Sequence, residues 1–225
     1  MTILLFDIDG TLIRSGGAGK AAMEGALREE FGVAEIIDGV PFSGRTDLAI
    51  IHDLLALHGV EPTPAQCQRM LAAYLKLLPE SLQANQGVEL PGVRKLLEHL
   101  QNVPHVSVGL LTGNIRDGAR CKLGHFDLWH FFAFGGFADG LSNRDDVARF
   151  ALAEAGRHTG RSIEPVNVWV IGDTPLDVKC ARAIGAKAVA VATGWHAIDE
   201  LHNSGADHVL ADLSDPAVLR AAWGL

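Results

Sequence analysis

Short, largely apolar runs that stop abruptly at a polar residue or a glycine recur along this chain. They are Ile3 to Phe6 before Asp7, Val106 to Leu111 before Thr112, Val168 to Ile171 before Gly172, and Ala188 to Val191 ahead of Thr193. Near-continuous apolar character, rather than strict alternation, marks strands buried on both faces of a parallel sheet. The run from Phe131 to Phe134 is a weaker strand candidate. Between the runs lie helical patterns: Gly92 to Leu100, Ile115 to Gly124, Asp145 to Ala155 and Leu176 to Ile184. Strands alternating with helices predict an α/β fold, a doubly wound parallel sheet with right-handed crossovers. Ligands bind such sheets at the carboxyl ends of the strands, which is where these runs place their polar residues.

The alternation breaks between residues 15 and 86. That stretch reads as helices throughout, over Ala18 to Phe31, Asp47 to Leu57 and Pro64 to Leu82, with apolar residues at three- and four-residue spacing. Pro62 and Pro64 punctuate it, and Pro91-Gly92 marks the return to the sheet pattern. The expected organisation is a core of residues 1–14 and 87–225 with a helical insert over 15–86. No internal repeat or low-complexity tract interrupts either part.

Composition narrows the function classes. With 48% hydrophobic and 20% charged residues the chain reads as a folded globular protein. A net charge of −8 and scattered Lys and Arg argue against a nucleic-acid surface. The three cysteines are far apart and lack CxxC spacing, which fits a reduced, cytoplasmic chain. The apolar start is too short for a signal segment, and nothing approaches a membrane span, so no membrane partner is expected.

Three polar segments carry the chemistry. Asp7-Ile8-Asp9-Gly10-Thr11 puts two carboxylates at the end of a strand, both on one side of the backbone, where they can share a metal or divide nucleophile and acid roles. Gly10 lets the chain turn sharply away. Gly172-Asp173-Thr174-Pro175-Leu176-Asp177 follows another strand, with Asp177 one turn into the next helix. Such hard oxygen donors suit Mg²⁺, although Asp173 or Thr174 could equally cap that helix. Thr112-Gly113-Asn114 joins a hydroxyl to backbone amides opening a helix, an anion cradle suited to a phosphoryl oxygen.

In this order, each after a strand, DIDGT, LLTGN and VIGDTPLD resemble the haloacid dehalogenase superfamily over nearly the whole chain. The helical stretch is similar to the small cap of its phosphoglycolate phosphatase-like subgroup. The resemblance implies a Rossmann-like core with an inserted helical cap, and a magnesium-dependent phosphatase acting on a small phosphorylated metabolite through an aspartyl-phosphate. It makes Asp7 the nucleophile and Asp9 the acid and base, with the Asp9 carbonyl on the metal. Gly10, Thr112, Gly113 and Asn114 would hold the phosphoryl group, and Asp173 and Asp177 the metal and its waters. The family also needs a cation near the phosphate, commonly a Lys followed by Pro. The corresponding region here reads Leu141-Ser142-Asn143-Arg144-Asp145-Asp146 and has no lysine. Arg144 or Lys122 must serve; Lys122 is favoured, because Asp145 and Asp146 stand ready to occupy Arg144.

Gly16-Gly17-Ala18-Gly19-Lys20 resembles a P-loop only at a glance, since Arg14 stands at the required first glycine and Ala21 at the Ser/Thr. Those glycines better suit a hinge between core and insert. In Gly44-Arg45-Thr46-Asp47, Arg45 is the expected specificity element, meeting a second anionic group on the substrate, with a loop and a Thr46 helix cap as the plainer reading. Asp9 argues for a phosphoester over a halide. The alternatives are a sugar phosphomutase or a silent binding module on the same scaffold, and a monomer or homodimer is expected.

Overall fold

A computed structural model of the chain describes residues 1–215 and Trp223. Its main sheet runs β5 (Gly135–Gly136), β4 (Val106–Leu111), β1 (Thr2–Phe6), β6 (Val168–Gly172), β7 (Lys187–Val191), β8 (His208–Leu210), in that spatial order. Every pairing in it is parallel. The expected doubly wound α/β architecture is therefore present. From β1 the chain later lays β4 on one side and β6 on the other, so the order reverses at β1. A crevice opens at the carboxyl ends of strands at such a switch point.

The two faces of β1 show why these residues make a buried strand. Leu4 and Phe6 join the hydrophobic cluster on one face, and Ile3 and Leu5 the cluster on the other. The first cluster is covered by α4 (Val93–Leu100) and α5 (Arg116–His125), the second by α6 (Arg144–Thr159) and α7 (Pro175–Ala183). Leu5 has no solvent exposure. Leu5→Ala is expected to cost about 2–5 kcal/mol, transfer free energy plus the residual cavity, read from the urea unfolding midpoint.

The insert packs α1 (Ala18–Phe31), α2 (Asp47–Leu57) and α3 (Pro64–Ala84) around a third cluster centred on Leu27, Ile51 and Tyr74. Its entry and exit lie side by side in a two-stranded antiparallel pair, β2 (Ile13–Arg14) with β3 (Val88–Glu89).

Three details differ from the sequence pattern. The Phe131–Phe134 run is no strand: Trp129–Phe131 form a single 3-10 turn, and pairing with β4 begins only at Gly135. A Cβ on Gly135 would come within 2.8 Å of the Leu110 side chain, so the strand sits where the chain has no side chains for a hydrophobic pattern to register. The insert is not helical throughout, since residues 32–46 form a loop whose Ile36, Val40 and Phe42 pack on the helical cluster. The short β2, β3, β8 and α8 (Ile198–Asn203) carry too few residues for a periodicity to show. Among the described residues no helix is long and apolar enough to cross a membrane.

Candidate active site

Because β1 lies between β4 and β6, the residues following these strands meet in one place. The Asp7 amide donates to Ile171 O at 2.9 Å, which continues the sheet by one bond and holds Asp7 at the strand's end. The chain then turns at Gly10, with φ +88°, where a Cβ would overlap the Asp173 carboxylate. Thr11 Oγ1 donates to Asp173 Oδ1 at 3.3 Å. On the next segment, Thr174 caps α7 and forms a reciprocal capping box with Asp177, whose Oδ2 accepts from the Thr174 amide at 2.9 Å and hydroxyl at 2.7 Å. Asp177 Oδ1 accepts from Arg144.

Asp7, Asp173 and Asp177 each bring one carboxylate oxygen within 4.8 Å of the others, and all three are buried. Burial pushes the Asp7 carboxyl up to about 7, opposed by Arg144 and reinforced by Asp177 and Asp9. Burial, then Asp177 and Asp7, push Asp173 up to about 8. With Asp7 and Asp173 both resisting ionisation, the group is an arrangement a cation relieves, and the all-oxygen donor set of the three acids suits Mg²⁺. The Asp9 side chain stands apart from this group. Its Oδ2 accepts from Lys122 Nζ at 2.6 Å and from Asn114 Nδ2 at 2.9 Å.

The structure brings both candidate cations into the crevice, on different acids. Lys122, 5% exposed, reaches in from α5 and also donates to Asn114 Oδ1 at 2.7 Å. Burial pushes its ammonium down, but Asp9 and Asp47 outweigh that and leave it above its ordinary value. Arg144 lies 3.1 Å from Asp7 Oδ1 and also pairs with Asp177. The expected surface pairing of Arg144 does not occur: its guanidinium goes to Asp7 and Asp177, and Asp146 is bound by Arg149. Both cations thus stand at the crevice, Lys122 on Asp9 and Arg144 on Asp7.

Asn114 and Gly113 line the cavity, whereas Thr112 does not. Fully buried, Thr112 accepts through Oγ1 from the Asn114 amide at 3.2 Å and side chain at 2.8 Å, so it holds Asn114 from behind. Arg45 lines the cavity too, yet its guanidinium is tied to Asp53 Oδ2 at 2.6 Å and to the Pro41 carbonyl at 3.1 Å, while Thr46 caps α2. The second-anion role expected for Arg45 thus meets a cation already paired. Gly17 caps α1 in the left-handed region, and Lys20 pairs with Asp38 at 2.7 Å, which leaves no P-loop.

The cavity between core and insert has a volume of about 280 Å³. Its wall includes residues the sequence did not single out: Met23, Phe42, Ile50 and Tyr74 from the insert and Trp195 from the loop after β7. Tyr74 is fully buried and its hydroxyl has no hydrogen-bond partner among the described residues, whereas Trp195 is 89% exposed. Asp47 is buried on the same wall. In sequence it looks like an ordinary acid in the first turn of a helix, and only its contacts separate it from one.

The family model for haloacid dehalogenase-like hydrolases matches residues 4–191. Validoxylamine A 7'-phosphate phosphatase of Streptomyces hygroscopicus subsp. limoneus is 29% identical over 224 residues, covering 95% of this chain and 94% of the relative. A phosphoglycolate phosphatase of Cereibacter sphaeroides is 29% identical over 212 residues, covering 90% and 91%. Among solved structures, a hydrolase from Pseudomonas syringae superposes with a TM-score of 0.71 at 26% identity, covering 97% of both chains. CbbY from Rhodobacter sphaeroides, in complex with phosphate, shares the fold with a TM-score of 0.73 at 18% identity, covering all of both chains. With its three segments gathered at one switch point and the family model spanning the sheet from β1 to β7, this chain belongs to the haloacid dehalogenase-like hydrolases.

Proposed function

We propose that this chain is a magnesium-dependent phosphatase that hydrolyses a small phosphorylated metabolite through an aspartyl-phosphate on Asp7. The observation that carries this reading is that Asp7 belongs to the three-acid group and opens onto the same cavity as the Asp9–Asn114–Lys122 network. The curated relatives named above are phosphatases, which supports the same chemistry.

An Asp7 oxygen attacks phosphorus while the bond to the leaving oxygen breaks, and Asp9 delivers the proton that leaving oxygen needs. In the second step Asp9 takes a proton from water, the water oxygen attacks phosphorus, and the bond to Asp7 breaks. Inorganic phosphate leaves and the Asp7 carboxylate returns. Asp7, Asp173 and Asp177, with the Asp9 carbonyl, would hold Mg²⁺, which supplies the positive charge a carboxylate needs to approach a phosphate dianion. Lys122 and Asn114 hold the Asp9 carboxylate, and Arg144 fixes Asp7.

The outer wall bears on the leaving group. Its cations are engaged, Lys20 with Asp38, Arg45 with Asp53 and Arg14 with the Thr193 carbonyl at 2.8 Å. What remains is apolar surface with the Ser15, Ser43 and Tyr74 side chains, a lining that favours a neutral, hydroxyl-bearing leaving group over one with a carboxylate. A panel of phosphate esters assayed with Mg²⁺ tests both parts. Sugar phosphates should exceed phosphoglycolate in kcat/KM by about tenfold or more, since an unpaired buried charge disfavours the wrong partner; the reverse order rejects the leaving-group assignment. Loss of every activity, para-nitrophenyl phosphate included, rejects the phosphatase. Isomerised sugar phosphate without free phosphate would instead identify a phosphomutase.

A further inference from the structure

One turn of the insert touches the core at both loops that carry phosphate-facing side chains. The Asp47 amide donates to Gly113 O at 2.7 Å, and Asp47 Oδ2 accepts from the Ile115 amide at 2.9 Å, so this single residue brackets Asn114 from either side. Next to it, Thr46 Oγ1 donates to Ser142 O at 3.0 Å, two residues before Arg144. Glycines permit the approach. A Cβ on Gly113 would overlap the Arg45 carbonyl, and one on Gly44 would lie 2.8 Å from Thr174 Oγ1 and 2.9 Å from Leu176.

The carboxylate at position 47 is not required by its own helix, because Thr46 already caps α2 through the Ala49 amide at 3.2 Å. It is also unfavourable where it stands. Burial pushes Asp47 up to about 6, with Lys122 and the Ile115 amide opposing. Its partner explains the position: Ile115 is the cap residue of α5 and has no side chain able to accept a hydrogen bond there. Asp47 supplies from the insert an acceptor oxygen for the Ile115 amide, while the next amide, on Arg116, goes to Asp139 Oδ2 at 2.9 Å within the core.

We propose that Asp47 is a positioning residue: with the insert seated, it fixes the Gly113–Ile115 loop, so that closure assembles the Asn114 side of the phosphate site rather than merely covering it. This builds on the phosphatase reading, but the contact can be tested without turnover. The variants are Asp47→Ala, which removes the acceptor, and Asp47→Asn, which keeps an acceptor oxygen and removes the charge. In the full chain, amide hydrogen exchange over 112–118 should speed up in Asp47→Ala and stay near wild type in Asp47→Asn. With para-nitrophenyl phosphate and Mg²⁺, kcat should fall about 10- to 100-fold in Asp47→Ala, the scale of a small misplacement of reacting groups, and recover to within about threefold in Asp47→Asn. The thermal midpoint of Asp47→Ala should hold or rise, since a buried acid has gone.

Three results overturn the proposal. Unchanged exchange and kcat in Asp47→Ala would show that the contact positions nothing. An Asp47→Asn variant as impaired as Asp47→Ala would assign the effect to charge. A kcat loss matched by a falling thermal midpoint would make the role structural only. Absence of turnover in the wild type would remove the phosphatase reading, while the exchange pattern would still decide whether Asp47 orders the loop.

Discussion

Asp7→Asn should lower kcat for para-nitrophenyl phosphate by about four orders of magnitude or more, because it deletes the attacking group and not merely a stabilising contact. The amide matches the carboxylate in shape and can still accept from Arg144, which lies 3.1 Å from Asp7 Oδ1. The fold should therefore survive. Burial keeps the Asp7 carboxyl protonated up to about pH 7, so replacing it with a neutral group should leave metal-free stability near neutral pH unchanged or raised. Circular dichroism establishes that the variant is folded, and trapping with labelled phosphate ester reads phosphoenzyme formation. Wild-type-like rates, or labelling undiminished in the variant, would remove Asp7 from the nucleophile position.

The second large effect concerns the metal. Chelation should abolish turnover, and Mg²⁺ should stabilise the protein by an amount that grows with pH. Asp7 and Asp173 are raised from 3.8 to about 7 and about 8. Between the unfolded and folded values the native state binds more protons than the unfolded chain, so stability from these two groups falls as pH rises through that window. Magnesium competes with those protons and offsets the loss. The metal-free thermal midpoint should drop from pH 5 to pH 8 more than the magnesium-loaded one does. At pH 8 and magnesium near 100 times its Kd, the increment should be about 2.7 kcal/mol, on the order of 5–10 °C for a chain of this size; at pH 5 it should nearly vanish. A gap that stays constant or narrows with pH would contradict metal binding at this acid group. Asp173→Asn offers an internal check, as it should raise the metal-free midpoint at pH 8 and erase the magnesium increment.

Much of this arrangement was legible in the chain itself. The strands β1, β4, β6 and β7 are dense in β-branched and large apolar residues, and a strand buried on two faces cannot be written otherwise. Asp7, Asp173, Asp177 and Asn114 were readable because each follows such a strand, and the rule placing sites at strand carboxyl ends turns position in sequence into position in space. What escaped depended on neighbours contributed by remote segments. Arg144 ranks behind Lys122 in the sequence because the acids beside it there read as its partners, while the fold gives Asp146 to Arg149 and turns Arg144 inward, so that both cations stand at the crevice. Arg45 drew attention as a cation beside a glycine, yet Asp53, two turns along α2, claims it. Asp47 and Tyr74 had no signal of their own, since an acid after a helix cap and an aromatic in an amphipathic helix are ordinary in either setting. Gly135 and Gly136 form a strand through the absence of side chains, which no hydrophobic pattern can report.

The antiparallel pair of Ile13–Arg14 with Val88–Glu89 has an implication for how such a protein can diversify. Since the chain departs and returns at adjacent points, the whole excursion between them can be lengthened, trimmed or exchanged for another without moving either end of the sheet. Novel substrates then become reachable by changing what is spliced in at this junction. The cost falls on whichever replacement lacks a group able to reach across and order the start of α5, a requirement that would limit which excursions yield a competent enzyme.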